Sequence, residues 1–346
     1  MSSNMMKAMV VREFSEEPLE YSEIPVPAPG EGEVLIKVDT AGVVLGETLI
    51  ARGLYQVQPI RPFVAGNEYA GTIVELGPNA TGFAVGDRVA VTGFVGDSRK
   101  DCKIVGSLAE YSAVPTLNVV KLAPGISLEQ GALFRSNNET SYFGLYKGNL
   151  KPGETLLVMG ASGGTGYAAV IIGKLMGARV IASCSSEEKR QIALAGGADV
   201  AIDSTAEDWR AQVDELTGGK GLDVVYDPVG GSQTERAFRA LGWNGRLVVI
   251  GFASGTIAKI PANLPLLKGA SLLGANLLQG YKYEWDETVR QREQLMRWFG
   301  EGKLTVPPVA RRYPLEQAQA AFNEIVQGKT AGRIVVKMPG CEEWAA

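Results

Sequence analysis

The sequence predicts an α/β protein of two domains: a small β-barrel or sandwich, and a doubly wound parallel sheet of six strands. Three observations predict it. The chain has 346 residues, and at roughly 100–200 residues per domain that makes two or so. Up to about residue 125, short alternating runs are punctuated by Gly and Pro, as in small all-β domains. Beyond that point, apolar runs of about five residues alternate with helical patterns, the rhythm of a parallel sheet with crossover helices.

In the first stretch the alternating runs Lys7–Arg12, Glu33–Asp39, Gly71–Glu75 and Arg88–Thr92 predict strands, separated by turn-rich segments such as PVPAPGEGE and ELGPNATGFAVGDRV. In the middle, strands are predicted at Thr155–Met159, Arg179–Cys184, Asp199–Asp203, Leu222–Asp227, Arg246–Gly251 and Ser271–Ala275. That number completes a doubly wound dinucleotide-binding sheet. Between the first two, YAAVIIGKLMGA is helical in period and ends at Gly177. A helix holding Met296, Trp298 and Phe299, a second short helix in PLEQAQAAFNEIVQG and a strand in GRIVVKM close the chain. This tail is expected to return to the first domain.

Composition removes whole classes of chemistry. No histidine is present, and the three cysteines, Cys102, Cys184 and Cys341, are widely spaced. Zinc sites draw mostly on these two residue types, so a structural zinc cluster is not expected. Histidine general-base chemistry and Ser–His–Asp triads are excluded. Odd, scattered cysteines suggest a reducing compartment, here the cytoplasm. Net charge is −4 with no basic block, which argues against nucleic acid. No uncharged apolar run reaches the ~18 residues of a membrane span, and the N-terminal residues do not read as a secretory signal.

The strongest local signal is TLLVMGASGGTGYAAVIIGKLMGA, residues 155–178. An apolar strand runs into Gly160, Ala161, Ser162, Gly163, Gly164, Thr165 and Gly166, and then a helix begins. Glycines there permit a tight turn and let backbone N–H groups approach a pyrophosphate at a helix N-terminus. A turn-rich connection without a ligand is the bland alternative. The second strand ends in Ala182-Ser183-Cys184-Ser185, without the acid that would accept the ribose 2′-OH of NADH. With Ser185, Lys189 and Arg190 at hand, NADPH is the expected cofactor. Against this, Ser185 with Glu188 also reads as a capping box, Lys189 as a solvated helix residue, and Glu187 and Glu188 dilute the positive field.

These segments, with EIPVPAPGEGEVLIKV, GNEYAG followed by GFAVGDRV, LKPGETLLVMGASGGTG, DVVYDPVGG, and GRLVVIGFASG with IPANLPLLKG, resemble the zinc-free quinone oxidoreductase branch of the medium-chain dehydrogenase/reductase superfamily over nearly the whole chain. The resemblance implies a GroES-like β-barrel domain, residues 1–128 and 270–346, interrupted by a Rossmann dinucleotide-binding domain, residues 129–269. It also implies a homodimer formed through the Rossmann domains. Zinc members carry a Cys before the first barrel helix and a His in a GHE motif. Here AGVVLGETL and GNEYAG stand there, with Asn67 in place of the His and Glu68 beside it. In the zinc-free branch AGVN-x-x-D-x and R-x-G-x-Y frame the substrate cleft. Val44 replaces the Asn, Glu47 the Asp, and Tyr55 is retained. The resemblance therefore implies Tyr55 as the residue that orients substrate or donates a proton, where packing alone would make it a half-buried barrel aromatic. It puts Thr140 beside the cofactor, Phe252, Ala253 and Ser254 in the nicotinamide-side loop, and Thr165 over the cofactor. The lead-in Leu133–Glu139 is polar where the family is apolar. Arg135, Asn137 and Asn138 are thus candidate substrate contacts, or caps of a helix start. A family Tyr after the third strand is missing, so that contact to the 2′-phosphate is either absent or supplied by Ser204.

The expected function is metal-free, NADPH-dependent reduction of a quinone or an activated C=C bond, which needs less help than alcohol oxidation without a base or Lewis acid. Two alternatives stay open. One is a C=C reductase for a small acidic, acrylate-type acceptor, motivated by Arg135. The other is an NADPH-binding structural or regulatory protein with little turnover.

Overall fold

The computed structural model describes residues 4–55, 58–95, 103–104, 106–328 and 330–341; Cys102 lies outside them. The chain forms two compact units, Met1–Ser136 with Pro308–Ala346, and Asn137–Pro307.

The first unit is built on one long strand, Glu33–Val43. Its apolar residues alternate, so Val34, Ile36 and Val38 point inward and are fully buried while Lys37 is exposed, the two-residue period of a pleated strand. It pairs antiparallel with Glu68–Leu76, Tyr111–Pro115 and Arg333–Lys337. The strand runs to Val43 rather than stopping at Asp39, because Thr40–Val43 are held by Lys337–Ile334, partners a local reading cannot see. The strand in GRIVVKM does return to the first unit. Leu315, Ala318, Ala321 and Phe322 join Val34, Ile36 and Val38 in one apolar core.

The second unit holds a six-stranded sheet, every neighbouring pair parallel. In spatial order the strands are Val200–Asp203, Arg179–Cys184, Thr155–Met159, Leu222–Asp227, Leu241–Val249 and Ser271–Gly274. This 3-2-1-4-5-6 order is that of a Rossmann fold, which brings the strands' carboxyl ends to one edge. The central strands are apolar throughout because both faces are covered. The fifth begins at Leu241 rather than Arg246; its register shifts after Leu222↔Leu241, and Asn244 takes a left-handed φ of 59°.

Both expected domain boundaries move. Residues 129–136 stay with the first unit, because Gly131 packs so tightly on Leu122 and Ala70 that it has no space for a Cβ. Residues 270–307 stay with the second, because Ser271–Gly274 is its sixth strand. Among the described residues no helix is long and apolar enough to cross a membrane.

Candidate active site

The buried strand Thr155–Met159 delivers the chain to Gly160, whose φ of 58° turns it out of the sheet. Ala161 and Ser162 are buried, and the Gly163 N–H returns to the Gly160 carbonyl at 3.0 Å. Gly163 then caps the helix Gly164–Leu175 with extended backbone, and no side chain satisfies the first N–H groups. Such a terminus presents donors and partial positive charge to an anion. Gly166 is required by contact: a Cβ there would collide with the Gly160 carbonyl oxygen.

Three residues that sequence reasoning missed hold this edge in place. Ser141 Oγ lies 2.7 Å from the carbonyls of Thr165 and Asn137, and 3.0 Å from the Tyr226 hydroxyl. Its proton serves the carbonyls, so Tyr226 is the donor to it. Burial pushes the Tyr226 phenol well above its ordinary pKa. Asp227, fully buried, accepts from the Val229 and Gly230 N–H groups at 2.8 and 2.9 Å and from the Thr234 hydroxyl at 2.6 Å. The next loop hangs on this turn through Ala253 N–H to the Pro228 carbonyl, 3.0 Å, and Ser254 N–H to that of Val229, 2.9 Å. Phe252, Ala253 and Ser254 are exposed there. Half-buried Thr140 is joined to the glycine turn by its neighbour Ser141. The available signal was a Tyr and an Asp at the end of the apolar strand Leu222–Asp227, where each must find a partner; Ser141, in the polar stretch of Arg135–Lys147, gave none.

At the end of the second strand Ser185 is exposed and no acid follows the strand directly. The helix N-cap is Ser186, which accepts from the Lys189 N–H at 3.3 Å. The cap is therefore one residue beyond Ser185, and with Lys189 at the third helical position it is a single cap bond, not the box read for Ser185 with Glu188. Arg190 also departs from expectation: it pairs with Glu187 at 2.8 Å and Asp203 at 3.2 Å. Ser204 is buried, with its N–H on the Cys184 carbonyl, and offers no exposed contact. Burial raises the Cys184 thiol, against the lowering influence of the Ser162 and Ala161 backbone.

In the first unit Val44 and Tyr55 flank the helix Leu45–Ala51. Both are half-buried, and the Tyr55 ring lies 4.0 Å from where a Gly46 Cβ would be. Val44 is the N-cap, and its N–H reaches the Glu47 carboxylate at 3.3 Å; the other Glu47 oxygen accepts from the Asn67 N–H at 2.9 Å.

Arg135, a candidate substrate contact in the sequence, is buried in the structure. It is 2% exposed and its guanidinium donates to the Asn118 carbonyl. Asn137 and Asn138 are buried too, and the Asn137 carbonyl accepts from Ser141. They serve the start of the helix Arg135–Lys147.

Glu68 forms a buried ion pair with Arg333 and lies against Gly42. Burial raises its pKa, and Arg333 opposes the rise. Glu47 is pushed well above the usual carboxylate range, first by burial and then by the charge of Glu68. This donor set does not suit zinc: Glu68 already faces a guanidinium, Glu47 faces two backbone N–H groups, and the chain supplies no histidine.

Residues 30–124 match the family described as alcohol dehydrogenase GroES-like domain, and residues 164–293 that described as zinc-binding dehydrogenase. The quinone oxidoreductase-like protein 2 homolog of Nematostella vectensis is 34% identical over 309 residues, 89% of this chain and 82% of that protein. Human quinone oxidoreductase is 31% identical over 338 residues, 96% of this chain and 98% of that one. The crystal structure of Escherichia coli quinone oxidoreductase complexed with NADPH superposes with a TM-score of 0.85 at 28% identity, covering 96% of this chain and 99% of that one. Barrel, parallel sheet, glycine turn and near full-length likeness lead to one conclusion: the chain belongs to the quinone oxidoreductase branch of the medium-chain dehydrogenase/reductase superfamily, a superfamily of oxidoreductases.

Proposed function

We propose that this protein is an NADPH-dependent reductase of quinones or activated C=C bonds that works without a metal. The observation that carries the reading is the uncapped turn at residues 160–166, beside a strand end, Ser185, with no acid directly after it. The N–H groups of Gly164, Thr165 and Gly166 would hold the pyrophosphate, with Gly160 and Gly163 shaping the turn through their own hydrogen bond and Ala161 and Ser162 packed beneath. Ser185 and Lys189 would hold the 2′-phosphate. Thr140, Phe252 and Ala253 would flank the nicotinamide. The complex of the E. coli relative with NADPH supports this choice. When bound, the dinucleotide supplies a hydride.

The chain's own work is to bind, orient and exclude water. Tyr55 has a hydroxyl that would orient the acceptor, stabilise negative charge on its oxygen and return a proton. Val44, the N-cap of the helix that Tyr55 follows, would give the acceptor an apolar contact. Assays of NADPH oxidation with a panel of quinones and enones test the reading. Turnover on at least one class is expected. Tight NADPH binding without turnover on any member would replace it with a non-enzymatic role, and lack of binding would end it.

We also propose a homodimer through the edge of the parallel sheet. Among the described residues Ser271–Gly274 has a strand neighbour on one side only, and Leu266, Leu267, Leu272 and Trp243 are exposed near it in the same unit at 81%, 72%, 45% and 76%. An exposed apolar sheet edge invites pairing. The free thiols of Cys184 and Cys341 support a reducing, cytoplasmic setting.

A further inference from the structure

We infer that Asp203 sets coenzyme choice in this protein by holding and neutralising Arg190, so that the preference for NADPH is moderate and NADH is also used. The inference rests on the functional reading above and deepens it.

The geometry is local and complete. Cys184 and Asp203 are register partners at the carboxyl ends of two adjacent strands, and the Ser204 N–H bonds to the Cys184 carbonyl at 2.9 Å. Asp203 therefore lies beside the strand end where a dinucleotide's adenosine ribose is recognised. Its Oδ1 is fixed by the Thr205 N–H at 2.8 Å and the Thr205 hydroxyl at 2.7 Å. That leaves Oδ2 aimed at Arg190 Nη1, 3.2 Å away. Arg190 stands one turn into the helix Glu187–Ala195, and its Nε and Nη2 are taken by Glu187 at 2.9 and 2.8 Å. Nη1 is buried and makes no hydrogen bond of good geometry.

An arginine here is what a 2′-phosphate needs, because its planar fork bonds phosphate oxygens in pairs. Two carboxylates already claim this one. With Glu187, Glu188 and Asp203 against Lys189, Arg190 and Arg236, which donates to the Ser204 and Ala206 carbonyls, the formal charges cancel, three against three. A field so balanced gives a 2′-phosphate little of the attraction that an uncompensated arginine would. Glu187 makes the two shorter contacts to Arg190, but Asp203 is the partner held independently of the helix. Glu187 is 66% exposed on the same helix, hence screened and mobile, whereas Asp203 is 37% exposed and anchored on a strand.

The test is calorimetric titration of the full-length protein with NADPH and with NADH, reading the ratio of the two Kd values. Asp203→Asn keeps an oxygen for Thr205, removes the charge and turns a donor toward Arg190. It is expected to shift the ratio toward NADPH by about tenfold. Arg190→Ala should shift it toward NADH, and in the double variant the gain from Asp203→Asn should vanish. Asp203→Glu, which restores the carboxylate, should bring the ratio back toward that of the wild type. A ratio within twofold of wild type in Asp203→Asn overturns the inference, as does an equal loss for both coenzymes, which is what a merely structural role gives. Failure of the wild type to bind either coenzyme instead overturns the functional reading, and this inference with it.

Discussion

Gly166 has no space for a side chain, because its Cβ would enter the Gly160 carbonyl oxygen. Gly166→Val must spread the turn that presents the N–H groups. Affinity for NADPH should fall by more than about tenfold in a titration, while the apolar strand beneath stays folded by circular dichroism. Glu47 makes a prediction of a different kind. Its carboxyl holds a proton to higher pH in the folded protein than in the unfolded chain, where its pKa is near 4.5. Between those two values the folded state binds more protons, so stability falls as pH rises and levels off above the folded value. Glu68, raised by burial as well, adds to the fall. Denaturant unfolding across this range should show the decline, and Glu47→Gln should flatten it. Arg135 shows what a sequence hides at this scale. Its place at a helix start gives no sign of burial, and the Asn118 carbonyl that accepts from it lies 17 residues back in the chain.

At the scale of elements, the helix Arg135–Lys147 and the turn at 160–166 are joined through Ser141, with Tyr226 from the fourth parallel strand completing the junction. Ser141→Ala leaves the Tyr226 hydroxyl buried without this partner and should cost about 1–3 kcal/mol in denaturant unfolding. Adding Tyr226→Phe should cost less than it does alone, because the two share one interaction. The parallel strands were legible from the sequence because each is a short apolar run bounded by turn residues, a local property. The end of Glu33–Val43 was not, since the residues that extend it come from Arg333–Lys337. Tyr226 and Asp227 went unnoticed for the same reason. A polar residue in an apolar segment announces that it has a partner but not which one.

For the whole molecule, the resemblance read from motifs and the full-length matches agree because glycine turns and apolar strands recur in the same order. What the motifs left unsettled were the domain boundaries, which depend on which sheet a segment joins. If the edge strand Ser271–Gly274 is the dimer contact, Leu267→Lys with Leu272→Lys should convert a dimer to a monomer by light scattering after gel filtration. The glycine turn lies in a separate part of the same unit, so an unchanged wild-type mass in the double variant would move the interface elsewhere.

The first unit is assembled from two stretches of chain with some 170 residues of the second between them. A ribosome must therefore deliver the Rossmann sheet before the barrel can finish. Until residues 333–337 emerge, one flank of Thr40–Val43 stays bare and the carboxylate of Glu68 waits without its counter-ion Arg333. The nascent barrel is thus a sticky, charge-frustrated intermediate, and premature termination between residues 307 and 333 yields a client for chaperones rather than a smaller working enzyme.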